Sequence, residues 1–461
     1  MYSTHLLNVR RTRISWLALA AIALALVGVV TFASTQVYTL PRQIPVVLLF
    51  AILAYINYRL GQRDVLYPGF IFSFLWFCTF ALYVFCFVNV DDITLTTDSL
   101  LLSGVMAFTL GSYLAMFFPR LKGVMGYLWD VSDSGCGKVI ALLWVIVVFP
   151  LFYRDIVISA GAGWFPSLAL ARDAFVNMML EKKTPYSSIL TSSLPAISVM
   201  VALVFALDKD VRDFRKATIF SIVLAFVIGI MTTSRTQMLS LSLGLIAIWH
   251  FREKQRSFFS SAKKLAPAVL LLMVLLGVVA LVVKSEAKDT QEAGYASTQI
   301  VRYVVGGIPA LNVAVAHPER YKLIESSSSA LPRALQPIAA LFHLSDQSDR
   351  AVDVNFVEVP FPVNTYTAYY PYYLALGIAG VILFGLCAGM LHGWLYNMAI
   401  HGSQAAMFLY CFYLYQLTMT IFADQYTGTV LLHNFEILLF MCVYYGFLRR
   451  LNWLPGERGY A

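Results

Sequence analysis

A succession of apolar runs constrains this chain more than any other feature. Each is about as long as a helix needs to be to cross the hydrocarbon of a bilayer, roughly 20 residues. The runs lie near 14–34, 43–58, 65–88, 99–118, 138–157, 187–207, 217–233, 236–250, 265–284, 371–395, 405–423 and 429–448. A soluble domain is nearer half apolar and a quarter charged. Here 59% of the 461 residues are hydrophobic, 13% are charged, and the mean hydropathy is +0.73. In lipid every backbone polar group must be paired internally, which leaves helices or a closed barrel. Barrel strands alternate apolar and polar residues, and these runs do not. The expected fold is all-α, a polytopic transmembrane bundle of about 12 spans forming one integral membrane domain over 1–461.

Charge orients the spans. Cytoplasmic segments are enriched in Lys and Arg, and short loops carry the signal. With the N-terminus inside, the inner segments collect most of the 33 Lys and Arg residues, including Arg212, Arg215 and Lys216 and the group Arg252, Lys254, Arg256, Lys263 and Lys264. Only Arg42 and Arg235 fall in short outer loops. Both termini are therefore expected in the cytoplasm. The first run follows Arg10, Arg11 and Arg13, as a signal peptide would, but its apolar stretch is long for one and it is read as a retained span. The net charge of +8 is topological and offers no case for nucleic acid. No outer loop holds a cysteine, so no outer disulfide is expected.

Two outer segments are too long to be simple connectors. One spans 158–186 and holds an apolar stretch of helical spacing, Leu168 to Leu180, with Arg172 and Asp173 among its polar positions. The other spans 285–370. Both are expected to contain short helices. The few ionisable residues in the spans (Arg154, Asp155, Asp424 and Glu436, with His433) fall towards the outer side. His433 and Glu436, three residues apart, share a helix face. They read either as a hydrogen-bonded structural pair or as the floor of an outward-facing cavity. No acidic relay is expected to continue to the cytoplasmic side, which counts against a proton-coupled transporter.

Three local features carry a family resemblance. Thr232-Thr233-Ser234-Arg235-Thr236-Gln237 forms a tight outer turn. Arg302-Tyr303-Val304-Val305-Gly306-Gly307-Ile308-Pro309-Ala310 lies early in the large loop. Asn364-Thr365-Tyr366-Thr367-Ala368-Tyr369-Tyr370-Pro371-Tyr372-Tyr373 leads into Leu376-Gly377-Ile378-Ala379-Gly380-Val381. With the plan of spans, these resemble the bacterial O-antigen polymerases, the oligosaccharide repeat-unit polymerases of the Wzy type. Some members pair Arg with a Gly eleven residues on. Here Lys183 follows Arg172 at that spacing and Val313 follows Arg302, so that pairing does not carry over.

The resemblance implies a glycosyltransferase of the bacterial inner membrane, with its active site facing the periplasm. Its partners would be undecaprenyl-diphosphate-linked oligosaccharides and membrane lipids, with a chain-length regulator and a flippase acting beside it. Such a site needs fixed cations for the leaving diphosphate, and arginine binds phosphate oxygens through two N–H groups. Arg235 ranks first, because a cation at a short outer turn defies the charge rule; it reads otherwise as a snorkelling or helix-end residue. Arg302 and Arg172 follow, each readable as a solvated loop charge.

An acceptor hydroxyl calls for a base. His343 is ranked ahead of His317, Asp353 and Glu358, although a lone loop histidine is more often ordinary surface. Asn364, Tyr366, Tyr369 and Tyr370, with His433 and Glu436, are the sugar-binding candidates. The tyrosines read equally as an interfacial aromatic belt. No organic cofactor or metal is expected; Asp91-Asp92 is the one acidic pair suited to a divalent cation, and a solvated turn is the preferred reading. A glycan ligase and an exporter or flippase of lipid-linked sugars remain the alternatives.

The orientation has a direct test. Cysteines placed at Ser327 and Ser260 should differ in labelling by an impermeant thiol reagent on intact spheroplasts, with Ser327→Cys labelled and Ser260→Cys protected. The reverse pattern would invert the assignment.

Overall fold

The computed structural model describes residues 43–86, 93–118, 135–161, 170, 189–207, 211–231, 235–253, 304–317, 357–359, 362–363 and 366–426. Within these the chain is predominantly helical. The helices are α1 (Gln43–Leu60), α2 (Pro68–Cys86), α3 (Leu95–Leu114, continued by a 3-10 turn at Ala115–Phe117), α4 (Gly135–Ala160), α5 (Ile189–Leu207), α6 (Val211–Met231), α7 (Arg235–Glu253), α8 (Gly307–Ala316), α9 (Tyr370–Ile400) and α10 (Gln404–Met419). A two-residue antiparallel ladder pairs β1 (Val357–Glu358) with β2 (Pro362–Val363). Nine of the apolar runs coincide with helices; the runs near 14–34, 265–284 and 429–448 lie outside the described residues.

Among the described residues, four segments are long and apolar enough to cross a membrane: Gln43–Leu60, Leu95–Phe117, Lys138–Ile158 and Tyr370–Ile400. Their outward faces fit lipid. Ile44, Leu48, Ile52 and Tyr55 make an exposed stripe on α1, and Leu143, Ile146, Val147 and Leu151 make another on α4. In water such stripes would be a liability; against acyl chains they are the expected surface.

The most extensive helix pairing joins α3 to α9. Gly385, Gly389 and Gly393 fall four residues apart on one face of α9. A Cβ at Gly385 would lie 2.7 Å from the Gly104 carbonyl oxygen, one at Gly393 2.5 Å from that of Ser112, and one at Gly389 would strike that of Phe108. Gly111 returns the contact against Leu386. Between helices in lipid there is no hydrophobic drive, so close backbone packing over small residues supplies the association. Around this seam lies the main core, with Phe50, Phe72, Trp76, Phe108 and Phe408 fully buried. A separate cluster of Leu142, Val145, Phe152, Leu194, Val201, Phe205 and Ile228 joins α4, α5 and α6.

Three departures from the sequence reading have physical causes. Helix α6 starts at Val211 rather than near 217, because Arg212, Arg215 and Lys216 continue the helix beyond the apolar run. Helix α9 is interrupted at Gly377, whose φ of 63° and ψ of −148° lie outside the helical region; only glycine adopts that conformation readily. Helix α8, expected in a surface loop, has Gly307 to Asn312, Ala314 and Val315 buried.

The glycine seam gives a stability prediction. Gly389→Val should force α3 and α9 apart at Phe108 and cost about 1–3 kcal/mol, the usual penalty for overpacking. A lower melting midpoint of the detergent-solubilised protein would show it, while Gly402→Ala in the α9–α10 turn serves as a strained but unpacked comparison.

Candidate functional site

Helix directions sort the conspicuous residues onto the two ends of the bundle. At one end the start of α7, the end of α10, α8 and the 366–370 segment come together. Asn312 on α8 is the hub: its Oδ1 accepts from the Thr94 backbone N–H (2.8 Å), the Thr94 hydroxyl (2.9 Å) and the Thr97 hydroxyl (2.9 Å). This ties α8 to the N-terminus of α3. Gly307 makes the other close approach, since a Cβ there would lie 2.9 Å from the Ile421 carbonyl oxygen. The Ala368 N–H donates to the Thr420 carbonyl at 2.8 Å. Two of the three resemblance motifs, 302–310 and 364–381, therefore meet at the end of α10.

The third motif reaches the same end. Arg235 opens α7, and Gln237 and Ser240 line a small cavity with Ala196, Val199, Phe412, Tyr415 and Gln416. The Gln237 Oε1 and Ser240 Oγ atoms are buried and have no hydrogen-bond partner. The walls are otherwise largely apolar, and these two oxygens are the groups there that suit an ordered water.

The candidate tyrosines separate by burial. Tyr366 and Tyr370 are half-buried and stacked, with ring centroids 4.2 Å apart. Tyr369 is 0% exposed. Its ring stacks on Trp76 at 5.2 Å and meets Phe384 edge-on, so it offers no face to a sugar, and burial pushes its phenol well above the ordinary value. Tyr372 stacks on Phe384 at 4.2 Å and donates from its hydroxyl to Asp424 Oδ1 at 3.4 Å. The Tyr426 N–H donates to the same oxygen at 2.8 Å. His317 is exposed at the end of α8. On α4, Arg154 is exposed and Asp155 is buried.

Arg172, Arg302, His343, Asn364, His433 and Glu436 lie outside the described residues, as do Asp91, Asp92 and Asp353. Among the described residues no group of His, Cys, Asp and Glu is arranged to hold a metal ion.

Polar groups that the sequence reading missed lie deeper in the bundle. His392 on α9 is 0% exposed. Its Nε2 lies 2.7 Å from the Tyr426 hydroxyl, and its Nδ1 is buried without a partner. Burial, then the nearby Asp424 charge, pushes the Tyr426 phenol well up. At the opposite end Asp64 is buried. It accepts the Leu66 N–H at 2.9 Å and the Tyr396 hydroxyl at 2.6 Å, and lies 2.9 Å from His250 Nε2. The Tyr410 hydroxyl donates to the Leu66 carbonyl beside it. Gln62 and Arg63, with φ of 56° and 67°, bend the backbone into the left-handed region to turn Asp64 inward. No acidic relay was expected to continue to the cytoplasmic side; Asp64 is a single buried acidic group at this end of the bundle. His392, alone within an apolar run, was the visible signal.

Comparison of the chain with family models, with curated proteins and with solved structures yields no significant match.

Burial predicts different outcomes for neighbouring tyrosines. Tyr369→Ala should lower stability by about 3–5 kcal/mol, as large aromatic truncations do. Tyr366→Ala should leave the melting curve nearly unchanged. Equal destabilisation by the two would contradict the packing described.

Proposed function

We propose that the chain is a periplasmic-side glycosyltransferase that polymerises undecaprenyl-diphosphate-linked oligosaccharide repeat units into a surface polysaccharide. The observation that carries this reading is the convergence of three segments far apart in sequence on one end of an apolar bundle: the start of α7, the buried α8 with its Gly306-Gly307 entry, and the 366–380 stretch. A polytopic inner-membrane protein of about 12 spans, with both termini in the cytoplasm, would present that end to the periplasm. The four helices among the described residues that are long and apolar enough to cross a membrane are compatible with this plan.

In the proposed reaction an acceptor hydroxyl oxygen attacks the anomeric carbon of the donor chain. The bond from that carbon to the diphosphate oxygen breaks, the hydroxyl proton passes to a base, and undecaprenyl diphosphate leaves. Negative charge grows on the diphosphate as the bond breaks, so cations fixed there stabilise the transition state more than the ground state. Arg235 is assigned this role, with Arg302 and Arg172 beside it. His343 is assigned as the base. Tyr366 and Tyr370, a stacked and partly open aromatic pair, are the sugar platform, with Asn364, His433 and Glu436 as further polar contacts. Flippase and chain-length regulator are the expected partners.

One observation favours the exporter reading instead: ionisable side chains occur in the middle of the bundle and at both ends. A ligase would share the same plan. The glycan ladder of a strain lacking this chain separates these classes. Single-repeat products with export intact support polymerisation; retention of the lipid-linked repeat inside the cell supports export.

Arg235 supplies the residue-level test. Arg235→Ala should reduce polymer about 100-fold or more, in line with loss of one transition-state donor, with the protein still inserted. Arg235→Lys should also fall well short, because lysine keeps the charge but not the two-pronged geometry. Full-length polymer from the alanine form would remove Arg235 from the site.

A further inference from the structure

We infer that the end of α1 binds an anionic phospholipid, with Arg59 and Arg63 on the headgroup phosphate and the exposed stripe of α1 along an acyl chain. This goes beyond glycosyl transfer and does not depend on it. Leu48, Ile52, Tyr55 and Arg59 recur at three- and four-residue spacing, so they share one face of the helix, and all four are exposed. From Leu48 to Arg59 the helix rises about 16 Å, about half of a hydrocarbon core of roughly 30 Å. One leaflet therefore covers the apolar part of this face and brings its headgroups level with Arg59. The guanidinium is held in place there. Its Nη1 donates to the Tyr55 hydroxyl at 3.1 Å, and its Cζ stands 6.0 Å from the centroid of the Tyr55 ring. That bond uses one of several N–H donors, and arginine grips a phosphate through two of them.

The turn after α1 sorts charge by direction. The Gln62 N–H donates to the Arg59 carbonyl at 3.1 Å, and the Arg63 N–H donates to the Tyr58 carbonyl at 2.8 Å. These bonds fold the backbone of Arg63 over the last turn of α1. They also occupy helix-end carbonyls that would otherwise repel an anion. Gln62 and Arg63 both adopt a left-handed φ, and both are exposed. Asp64 is the one acidic residue within 43–67, and it faces the other way. It is buried, with its carboxylate taken up by the Leu66 N–H, the Tyr396 hydroxyl and His250. Adjacent in sequence, Arg63 and Asp64 lie on opposite sides of the turn. Its outer surface carries two cations and no carboxylate.

This charge balance selects the lipid. A zwitterionic headgroup brings an ammonium of its own, which finds no carboxylate on the turn and meets two arginines instead. A headgroup whose only charge is the phosphate meets no such repulsion, and basic residues at the membrane surface attract anionic lipids. A free phosphate has the charge but no chain for the Leu48, Ile52 and Tyr55 stripe. Helix α6 offers a comparison of equal charge. Arg215 and Lys216 are exposed and lead into the exposed Ile219, Phe220 and Val223, but Asp213 stands one turn before Lys216.

The test places the full-length protein in phosphatidylcholine nanodiscs with phosphatidylglycerol that carries a diazirine in one acyl chain, and maps the labelled peptides after illumination. The α1 peptide should be labelled several-fold more strongly than by phosphatidylcholine bearing the same diazirine. Excess unlabelled phosphatidylglycerol should compete, whereas glycerol phosphate should not. The double variant Arg59→Gln/Arg63→Gln should lower the phosphatidylglycerol labelling of α1 to the phosphatidylcholine level. Arg215→Gln/Lys216→Gln should leave it at the wild-type level, with a melting curve showing that each variant is folded. Equal labelling of wild-type α1 by the two lipids overturns the inference without recourse to any variant. So does wild-type labelling of a folded Arg59→Gln/Arg63→Gln protein, competition by glycerol phosphate, or an equal loss in the α6 variant.

Discussion

Where Gly385, Gly389 and Gly393 lie against Gly104, Phe108 and Ser112, two helix backbones touch with no side chain between them. Most other placements in the bundle follow from this contact. It brings the buried Phe72 and Phe108 rings to 3.9 Å and sets Tyr369 over Trp76, because Gly104 clears the space its ring occupies. It also carries His392 into the interior, one residue before Gly393. A side chain larger than hydrogen at any of the three α9 positions meets backbone carbonyl, which cannot rotate away as a flexible side chain can.

The rest of the architecture follows from the choice of solvent. The exposed faces of α1, α4 and α6 are apolar, while the interior holds Asn57, Asp64, His250, His392 and Gln416. Asn57 shows how such groups are accommodated: its amide donates to Ser73 and Thr109, linking α1 to α2 and α3. With an apolar exterior and an apolar solvent, polar contacts and close packing must specify the fold. The Asn312 hub and the Asp64 cluster are the two places where this specification is densest, one at each end.

Much of the helix plan was legible because a bilayer sets helix length, and a run such as 43–58 has few other solutions. Helix α8 was not legible. A ten-residue helix inside a long loop is too short to announce a span, and its burial accompanies Asn312 meeting Thr94 across more than 200 positions. The burial of Tyr369 was not legible for a similar reason, since its stacking partner Trp76 is remote in sequence. Helix α7 starts at Arg235, one residue before the apolar run at 236–250, because the run itself marks the helix. Asp64 was not singled out in the sequence, and the inward twist at Gln62 and Arg63 leaves no signature in residue type. Local composition reports what surrounds a residue in the chain; it does not report what surrounds it across the bundle.

The break at Gly377 has a mechanical consequence. It separates the seven residues Tyr370–Leu376 from the long part of α9, and the glycine seam begins only at Gly385. The short piece packs with Val357, Val359, Val363, Ala310 and Ala314, so its stiffness is inherited from the loop side of the molecule. Force applied to that loop reaches the membrane body through the Ala368–Thr420 strut and the Tyr369–Trp76 stack, rather than along a continuous rod. Tyr372, on the short piece, stacks on Phe384 of the long one across the break, so the two parts of α9 are joined ring to ring as well as through the backbone at Gly377.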